Sequence, residues 1–300
     1  MAFSATTAAN NAAGTYEHFD VTPHTGALGA VVTGVDLREM PDDAFAELRT
    51  AIGDHLVLFV RGQSLTPDQL EGFTRRWGEH GDDPFVAGMP DHPNIVRLLK
   101  EADEKVPAVF GGAWHSDWSF QETPPAYTLL YGVDIPAYGG DTLWANMHLV
   151  YEHLSAPLQA WCDRLRAVHS PAAGYGPGAA HNQFIENMEI LWGPDAEIER
   201  SQPLVRVHPD SGRKGIYASP GYTVRIEGLH RAESDALLAH LHEVASAPAY
   251  TCRFQWRPGD LVIWDNRATN HLPISDYLGQ RRELWRTTVR GGPVVGGQGT

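Results

Sequence analysis

Short apolar runs bounded by Gly, Pro and Asp recur along this 300-residue chain, and they restrict its architecture more than any other feature. The clearest is His55-Leu56-Val57-Leu58-Phe59-Val60. Similar runs lie at Tyr127–Val133, Leu204–Val207, Gly215–Ala218, Tyr250–Trp256, Leu261–Trp264 and Leu284–Val289, with others at Leu28–Leu37 and Ile95–Leu98. Runs of this length suit strands, because a helix needs a longer periodic stretch. Helical spacing marks Asp42–Asp54, where Phe45, Leu48 and Ile52 recur on one face, and also His148–Leu165 and Ala232–Ala245. Thr66-Pro67 opens a further helix with an N-cap and a first-turn proline, ending near Trp77-Gly78. Many short strands with peripheral helices and no internal repeat predict a mainly β chain, a sandwich or barrel of jelly-roll type.

The Ala/Thr/Asn-rich start predicts disorder over residues 1–15, a single catalytic domain over 16–290 and a flexible tail over 291–300. Residues 79–113 read as a long Gly/Pro/Asp-rich loop. Residues 171–203 carry no clear element, and a stretch that long in a compact domain predicts a lid or binding insert. The net charge of −14 excludes a nucleic-acid partner and an anionic membrane surface, but not a small anion held by a few local arginines. No apolar run approaches the roughly 20 residues of a membrane span. The N-terminus has neither a basic n-region nor an apolar h-region, and Cys162 and Cys252 have no metal-like spacing, so a cytoplasmic protein is expected.

Within this frame, Trp114-His115-Ser116-Asp117-Trp118-Ser119-Phe120 draws attention. On an extended strand, His115 and Asp117 would share a face. Two His and one carboxylate with open positions suit a non-haem Fe(II) site. With 15 His and 20 Asp, about one His-x-Asp is expected by chance, and three are present. His18-Phe19-Asp20 follows the low-complexity start and His208-Pro209-Asp210 reads as a turn, which leaves His115/Asp117. The third ligand should be a distant His. His240 and His242 sit on nearly opposite sides of a helix, and His148 and His153 share no face. His271 follows the apolar strand Leu261–Trp264. Beyond it comes Arg281-Arg282-Glu283-Leu284-Trp285-Arg286-Thr287-Thr288, a strand that would put Arg282, Leu284, Arg286 and Thr288 on one side. Two inward arginines call for anions to meet them, whereas a solvated edge strand would not.

These segments resemble the taurine dioxygenase family, Fe(II)/2-oxoglutarate-dependent oxygenases whose relatives include the aryloxyalkanoate dioxygenases. The resemblance is carried by His115-Ser116-Asp117, Gly140-Asp141-Thr142-Leu143-Trp144, Trp264 to His271, and Gln280-Arg281-Arg282 with Arg286. Thr25 to Leu37 and Phe59 to Gln63 contribute as well, so it runs from about Tyr16 to Val289. It implies a double-stranded β-helix (cupin-like jelly roll) with Fe(II) on His115, Asp117 and His271. It also implies that Arg282, assisted by Thr142, meets the far carboxylate of 2-oxoglutarate, and that O2 is consumed with release of succinate and CO2. Halogenating members have a small residue at the Asp117 place, so Asp117 implies a hydroxylase. A homo-oligomer, dimer or tetramer, is expected.

The Arg286 position usually meets the substrate anion in this family. Taurine dioxygenases have a second His after Gly78-Glu79 that contacts the sulfonate. Here an acid, Asp83, stands there, which disfavours a sulfonate. Trp118, Phe120 and Tyr222 are expected to line a larger apolar pocket. The expected substrate is therefore a carboxylate on an apolar or aryl body, with taurine, alkyl sulfonates or alkyl sulfates as the alternative. Outside the family, a non-catalytic jelly-roll module or a water-activating metallohydrolase would need no 2-oxoglutarate.

Overall fold

The structure, a computed structural model, describes residues 11–176, 179, 185–191 and 194–297. Its strands are β1 (Asp20–Pro23), β2 (Ala30–Thr33), β3 (Val57–Val60), β4 (Val96–Lys100), β5 (Tyr127–Asp134), β6 (Thr142–Asn146), β7 (Arg166–His169), β8 (Arg200–Pro203), β9 (Val205–Val207), β10 (Lys214–Ile216), β11 (Thr223–Ile226), β12 (Thr251–Phe254), β13 (Leu261–Asp265), β14 (Thr269–Pro273) and β15 (Arg282–Val289). The helices are α1 (Asp42–His55), α2 (Pro67–Trp77), α3 (Met147–His153), α4 (Ala156–Cys162), α5 (Ala172–Tyr175) and α6 (Arg231–Ala245). Among the described residues no helix is long and apolar enough to cross a membrane.

Seven strands form one sheet in the order β1-β2-β3-β13-β5-β15-β4, and β12-β6-β14 form a second. The centre of the large sheet is antiparallel: β13 pairs with β3 on one side and β5 on the other. Both faces of that centre are covered, so β3 and β13 are buried at every position, and β3 and Leu261–Trp264 of β13 read as unbroken apolar runs. Alternation divides them. Leu58, Val60, Leu261 and Ile263 pack with Leu48, Ile52, Leu70 and Phe73 of α1 and α2. Val57, Phe59, Val262 and Trp264 point the other way, into a core with Trp144, Cys252 and Phe254 of the second sheet. Phe59 stacks on Phe254 at 4.1 Å between ring centroids, tying the two sheets together.

The Thr66 cap forms as expected. Its hydroxyl accepts from Gln69 N at 3.3 Å, and the Gln69 side chain accepts from Thr66 N at 2.9 Å. Elsewhere the structure corrects the sequence reading. The helix expected over 148–165 breaks at Leu154-Ser155 into α3 and α4. Strands β1, β6, β7, β8, β11 and β14 were not expected as such. Residues 1–10 and 298–300 lie outside the described residues. Asn11, in the stretch expected to be disordered, is buried, and its amide donates to Gly29 O at 2.8 Å. The tail runs beside β9, with Val207 N donating to Val295 O at 2.9 Å. Within 171–203, residues 177, 178, 180–184, 192 and 193 lie outside the described set. The rest includes α5 and β8.

Candidate active site

His115-Ser116-Asp117 is not a strand. His115 forms a single antiparallel bridge with His271 on β14, and a turn begins at Asp117. The bridge is reciprocal: His115 N donates to His271 O at 3.0 Å, and His271 N donates to His115 O at 2.7 Å. Trp118 takes a left-handed backbone conformation (φ 45°), unusual for a bulky residue. The turn still brings Asp117 back over the histidines. His115 Nε2 lies 3.6 Å and His271 Nε2 4.0 Å from Asp117 Oδ1. All three side chains are buried, and one donor atom from each lies within 4.8 Å of the others.

The donors are prepared for a cation. His115 Nδ1 donates to Ala113 O at 2.7 Å, which fixes the tautomer and leaves the Nε2 lone pair free. Burial, reinforced by the neighbouring His115, pushes the His271 imidazole down to about 3, so it is neutral. Burial alone would raise the Asp117 carboxyl, but His271, His115 and Arg286 hold it well below the usual carboxylate range. Asp117 Oδ2 accepts from Thr128 Oγ1 at 2.6 Å. Thr128 Oγ1 accepts in turn from Asn266 Nδ2 at 2.8 Å, and Ser116 Oγ donates to Asn266 O at 2.8 Å. Two imidazoles and one orientated carboxylate fit a divalent ion with open positions. Space beside His115 depends on Gly111. Its φ is 72°, and a Cβ there would fall 2.8 Å from His115 Cε1.

A solvent-connected cavity with about 690 Å³ of empty space reaches the triad, bordered by His115, His271, Thr142, Tyr277, Arg282 and Arg286. Arg282 is 5% exposed, and among the described residues it meets no carboxylate. Its Nη2 donates to Gly140 O at 2.9 Å, while Nε has no partner. The guanidinium lies 5.5 Å from the ring centre of Tyr277, and Thr142 Oγ1 accepts from Trp256 Nε1 at 3.0 Å. Gly140 (φ 68°) permits this approach, since a Cβ would sit 2.9 Å from Arg282 Nε. Arg281 points away, to Asp134 at 2.6 Å and Glu101 at 3.2 Å, so the inward set on β15 is the expected one.

Arg286 departs from expectation. It is 4% exposed and borders the cavity, but its counter-ion is internal: Nη2 pairs with Asp83 Oδ1, which also accepts from Trp118 Nε1 at 2.8 Å. Arg286 Nη1 lies 3.8 Å from Asp117 Oδ1, and Phe110 and Trp118 flank the guanidinium at 5.4 and 5.3 Å. The inference that Arg286 would be unpaired without a substrate anion is therefore wrong. Trp118 and Phe120, each 1% exposed, pack with Phe85, Tyr175 and Tyr222 rather than bordering the cavity. Tyr222 faces the His115 ring edge-on at 5.7 Å and borders a smaller recess beside it. The cavity's apolar wall comes instead from Leu98, Val109, Phe110, Ile185 and Met188. Thr128, Tyr277 and Trp256 were also missed. Nothing in one sequence distinguishes a threonine under a carboxylate from any other strand threonine.

Residues 18–288 match the family described as taurine catabolism dioxygenase TauD, TfdA. The chain belongs to that family. An alpha-ketoglutarate-dependent sulfate ester dioxygenase of Pseudomonas putida is 35% identical, with 93% of this chain and 92% of the relative covered. An alkylsulfatase of Acinetobacter baylyi is 33% identical over 92% of this chain and 86% of its own. The crystal structure of a taurine dioxygenase from Burkholderia xenovorans superposes with a TM-score of 0.79 at 36% identity, covering 93% of both chains. This TauD/TfdA chain is a non-haem Fe(II)- and 2-oxoglutarate-dependent dioxygenase, with O2 as its oxidant.

Proposed function

We propose that His115, Asp117 and His271 hold the Fe(II), that Arg282 with Thr142 holds the far carboxylate of 2-oxoglutarate, and that the enzyme hydroxylates a C–H of a small organic anion. The carrying observation is the opening of one cavity onto both the three-donor cluster and Arg282, a buried guanidinium with no carboxylate among the described residues. When bound, iron and 2-oxoglutarate supply the oxidising power for an unactivated C–H, with succinate and CO2 released. The protein's own contribution is orientation. Thr128 and Ala113 aim the donors, Tyr277 and Gly140 frame Arg282, and the aliphatic wall excludes water around the substrate's body.

The substrate is an anion on an apolar body. Sulfate esters and sulfonates stand level with the carboxylates favoured on sequence, because the similar proteins include a sulfate ester dioxygenase, an alkylsulfatase and a taurine dioxygenase. The objection to a sulfonate assumed an unpaired Asp83, and Asp83 is ion-paired with Arg286. The carboxylate reading keeps the support of Arg286 as a planar fork suited to bidentate pairing. A cytoplasmic homo-oligomer, with a double-stranded β-helix as one domain over 16–290, completes the proposal.

The test is an anaerobic titration of the Fe(II) protein with 2-oxoglutarate, followed by succinate release across alkyl sulfates, sulfonates, aryloxyalkanoates and their neutral analogues. A weak visible charge-transfer band and turnover of an anion are expected. His115→Ala, Asp117→Ala and His271→Ala should each abolish iron-dependent succinate formation in folded protein. Full turnover by any of the three, or preference for a neutral analogue, would refute the corresponding assignment.

A further inference from the structure

A second cavity, with about 770 Å³ of empty space open to solvent, shares no bordering residue with the first. It lies between the ends of β9, β13 and β15 and the start of the tail, and four arginines border it: Arg49, Arg206, Arg267 and Arg290. Asp210 is the one carboxylate residue among its bordering residues, and it pairs with Arg267 at 2.9 Å. Such local excess of positive charge is notable in a chain of net charge −14.

Two of the deep residues, Arg206 and Trp77, hold donors without acceptors. Arg206 is 3% exposed, and among the described residues its Nε and Nη1 have no hydrogen-bond partner and it meets no carboxylate. Burial works against its charge, and the Tyr217 side chain, with its ring centre 5.1 Å from the guanidinium carbon, and the Asp265 carboxylate favour it. Trp77, which also borders the cavity, is 5% exposed and has its indole Nε1 unpartnered. Arg267 forms the floor, paired with the buried Asp265 at 2.6 Å and donating to the Tyr127 hydroxyl at 2.6 Å. Arg49 and Arg290 are exposed at the rim. Arg290 has partners in Asp82 (3.2 Å) and Glu79 (3.9 Å), whereas Arg49 forms no ion pair among the described residues. A buried cation without a counter-ion is costly to a fold. A concave site rich in donors and poor in acceptors is matched by a ligand made of acceptors.

We propose that this cavity binds a small oxyanion of the phosphate, sulfate or carboxylate class. The anion sits among Arg206, Arg267 and Trp77 and is closed in by Arg49 and Arg290. The site is separate from the one that takes 2-oxoglutarate and substrate, and its existence does not depend on the substrate assigned there.

The experiment is equilibrium dialysis of radiolabelled sulfate and, separately, inorganic phosphate. It uses the anaerobic Fe(II) protein saturated with 2-oxoglutarate, at an ionic strength held constant with chloride. One equivalent of one of these anions should bind, and Arg49→Gln with Arg290→Gln should weaken it at least tenfold without altering succinate production. Arg206→Met should abolish binding, yet leave the anion-free protein at least as thermally stable as wild type. No binding at millimolar concentration would overturn the proposal. So would binding lost in Arg286→Ala but kept in the rim variant, which would place the anion in the active site. A large loss of stability in Arg206→Met with no anion response would make Arg206 a cation held by the fold itself. Dissociation of an oligomer by the rim substitutions, without any bound anion, would assign the cavity to a second copy of the chain.

Discussion

Asp83 and Arg286 form a buried ion pair in which a loop carboxylate meets a strand guanidinium from 203 positions further along the chain. Burial works to raise the Asp83 carboxyl and Arg286 works to lower it, with burial prevailing. If Arg286 takes the substrate anion as proposed, that anion would have to share or displace a resident one. Removing one partner of a buried pair costs about 3–5 kcal/mol. Asp83→Asn should lower the unfolding free energy by that order in ligand-free protein, and an anionic substrate should recover more stability in the variant than in wild type. Thermal denaturation with and without substrate measures both. Equal recovery in the two proteins would mean that the substrate never competes for Arg286.

Thr128 touches Asp117 through a hydrogen bond of 2.6 Å and is not among the residues bordering the cavity that Arg282 lines. Partners of metal ligands typically contribute about 10–100-fold to affinity. Thr128→Val should weaken Fe(II) binding by that amount while leaving the 2-oxoglutarate requirement of the iron-saturated enzyme close to wild type. Metal titration followed by steady-state kinetics separates the two quantities.

Arg282 and Arg281 are neighbours with opposite surroundings, one enclosed with Tyr277 and Gly140, the other in a half-buried ionic cluster with Glu101, Asp134 and Glu283. A lysine cannot reproduce a bidentate fork. Losing a charge-assisted bond of about 1.5–3 kcal/mol corresponds to roughly a tenfold to hundredfold change. Arg282→Lys should raise KM for 2-oxoglutarate within that range, and Arg281→Lys should leave it nearly unaltered. A larger effect at Arg281 would contradict the register of β15.

Glu283 gives a pH test far from the metal donors. Burial opposes its charge, but Arg97, Arg281 and Trp285 together hold its carboxyl down at about 2, below the ordinary 4.5. A depressed carboxyl contributes stability that is present above the unfolded value and disappears as pH falls through the folded one. Glu283→Gln should therefore be less stable than wild type at pH 7, and the two should converge between pH 4.5 and 2. Chemical denaturation across that window checks the sign.

The β-rich architecture was legible because β3 and the first four residues of β13 are buried on both faces and are apolar throughout. Strands with one wet or mixed face, such as β8 and β11, left no such trace. His271 was found through its sequence neighbours, although its position depends on a backbone bridge to His115 that no local pattern encodes. Arg286 was correctly placed facing inward, but its partner was not. Asp83 lies in a loop of acids and prolines where composition says nothing about direction. The aromatics around Asp117 were read as pocket wall because only packing decides whether a tryptophan lines a cavity or fills a core.

The reciprocal backbone bridge between His115 and His271 also orders events during synthesis. Two of the three donors become neighbours only when segments separated by about half the chain have paired. A nascent chain that has exposed His115 and Asp117 but not β14 offers a metal just two donors on an unpaired loop. With the triad proposed above, a complete donor set for Fe(II) would therefore exist only once that pairing has formed.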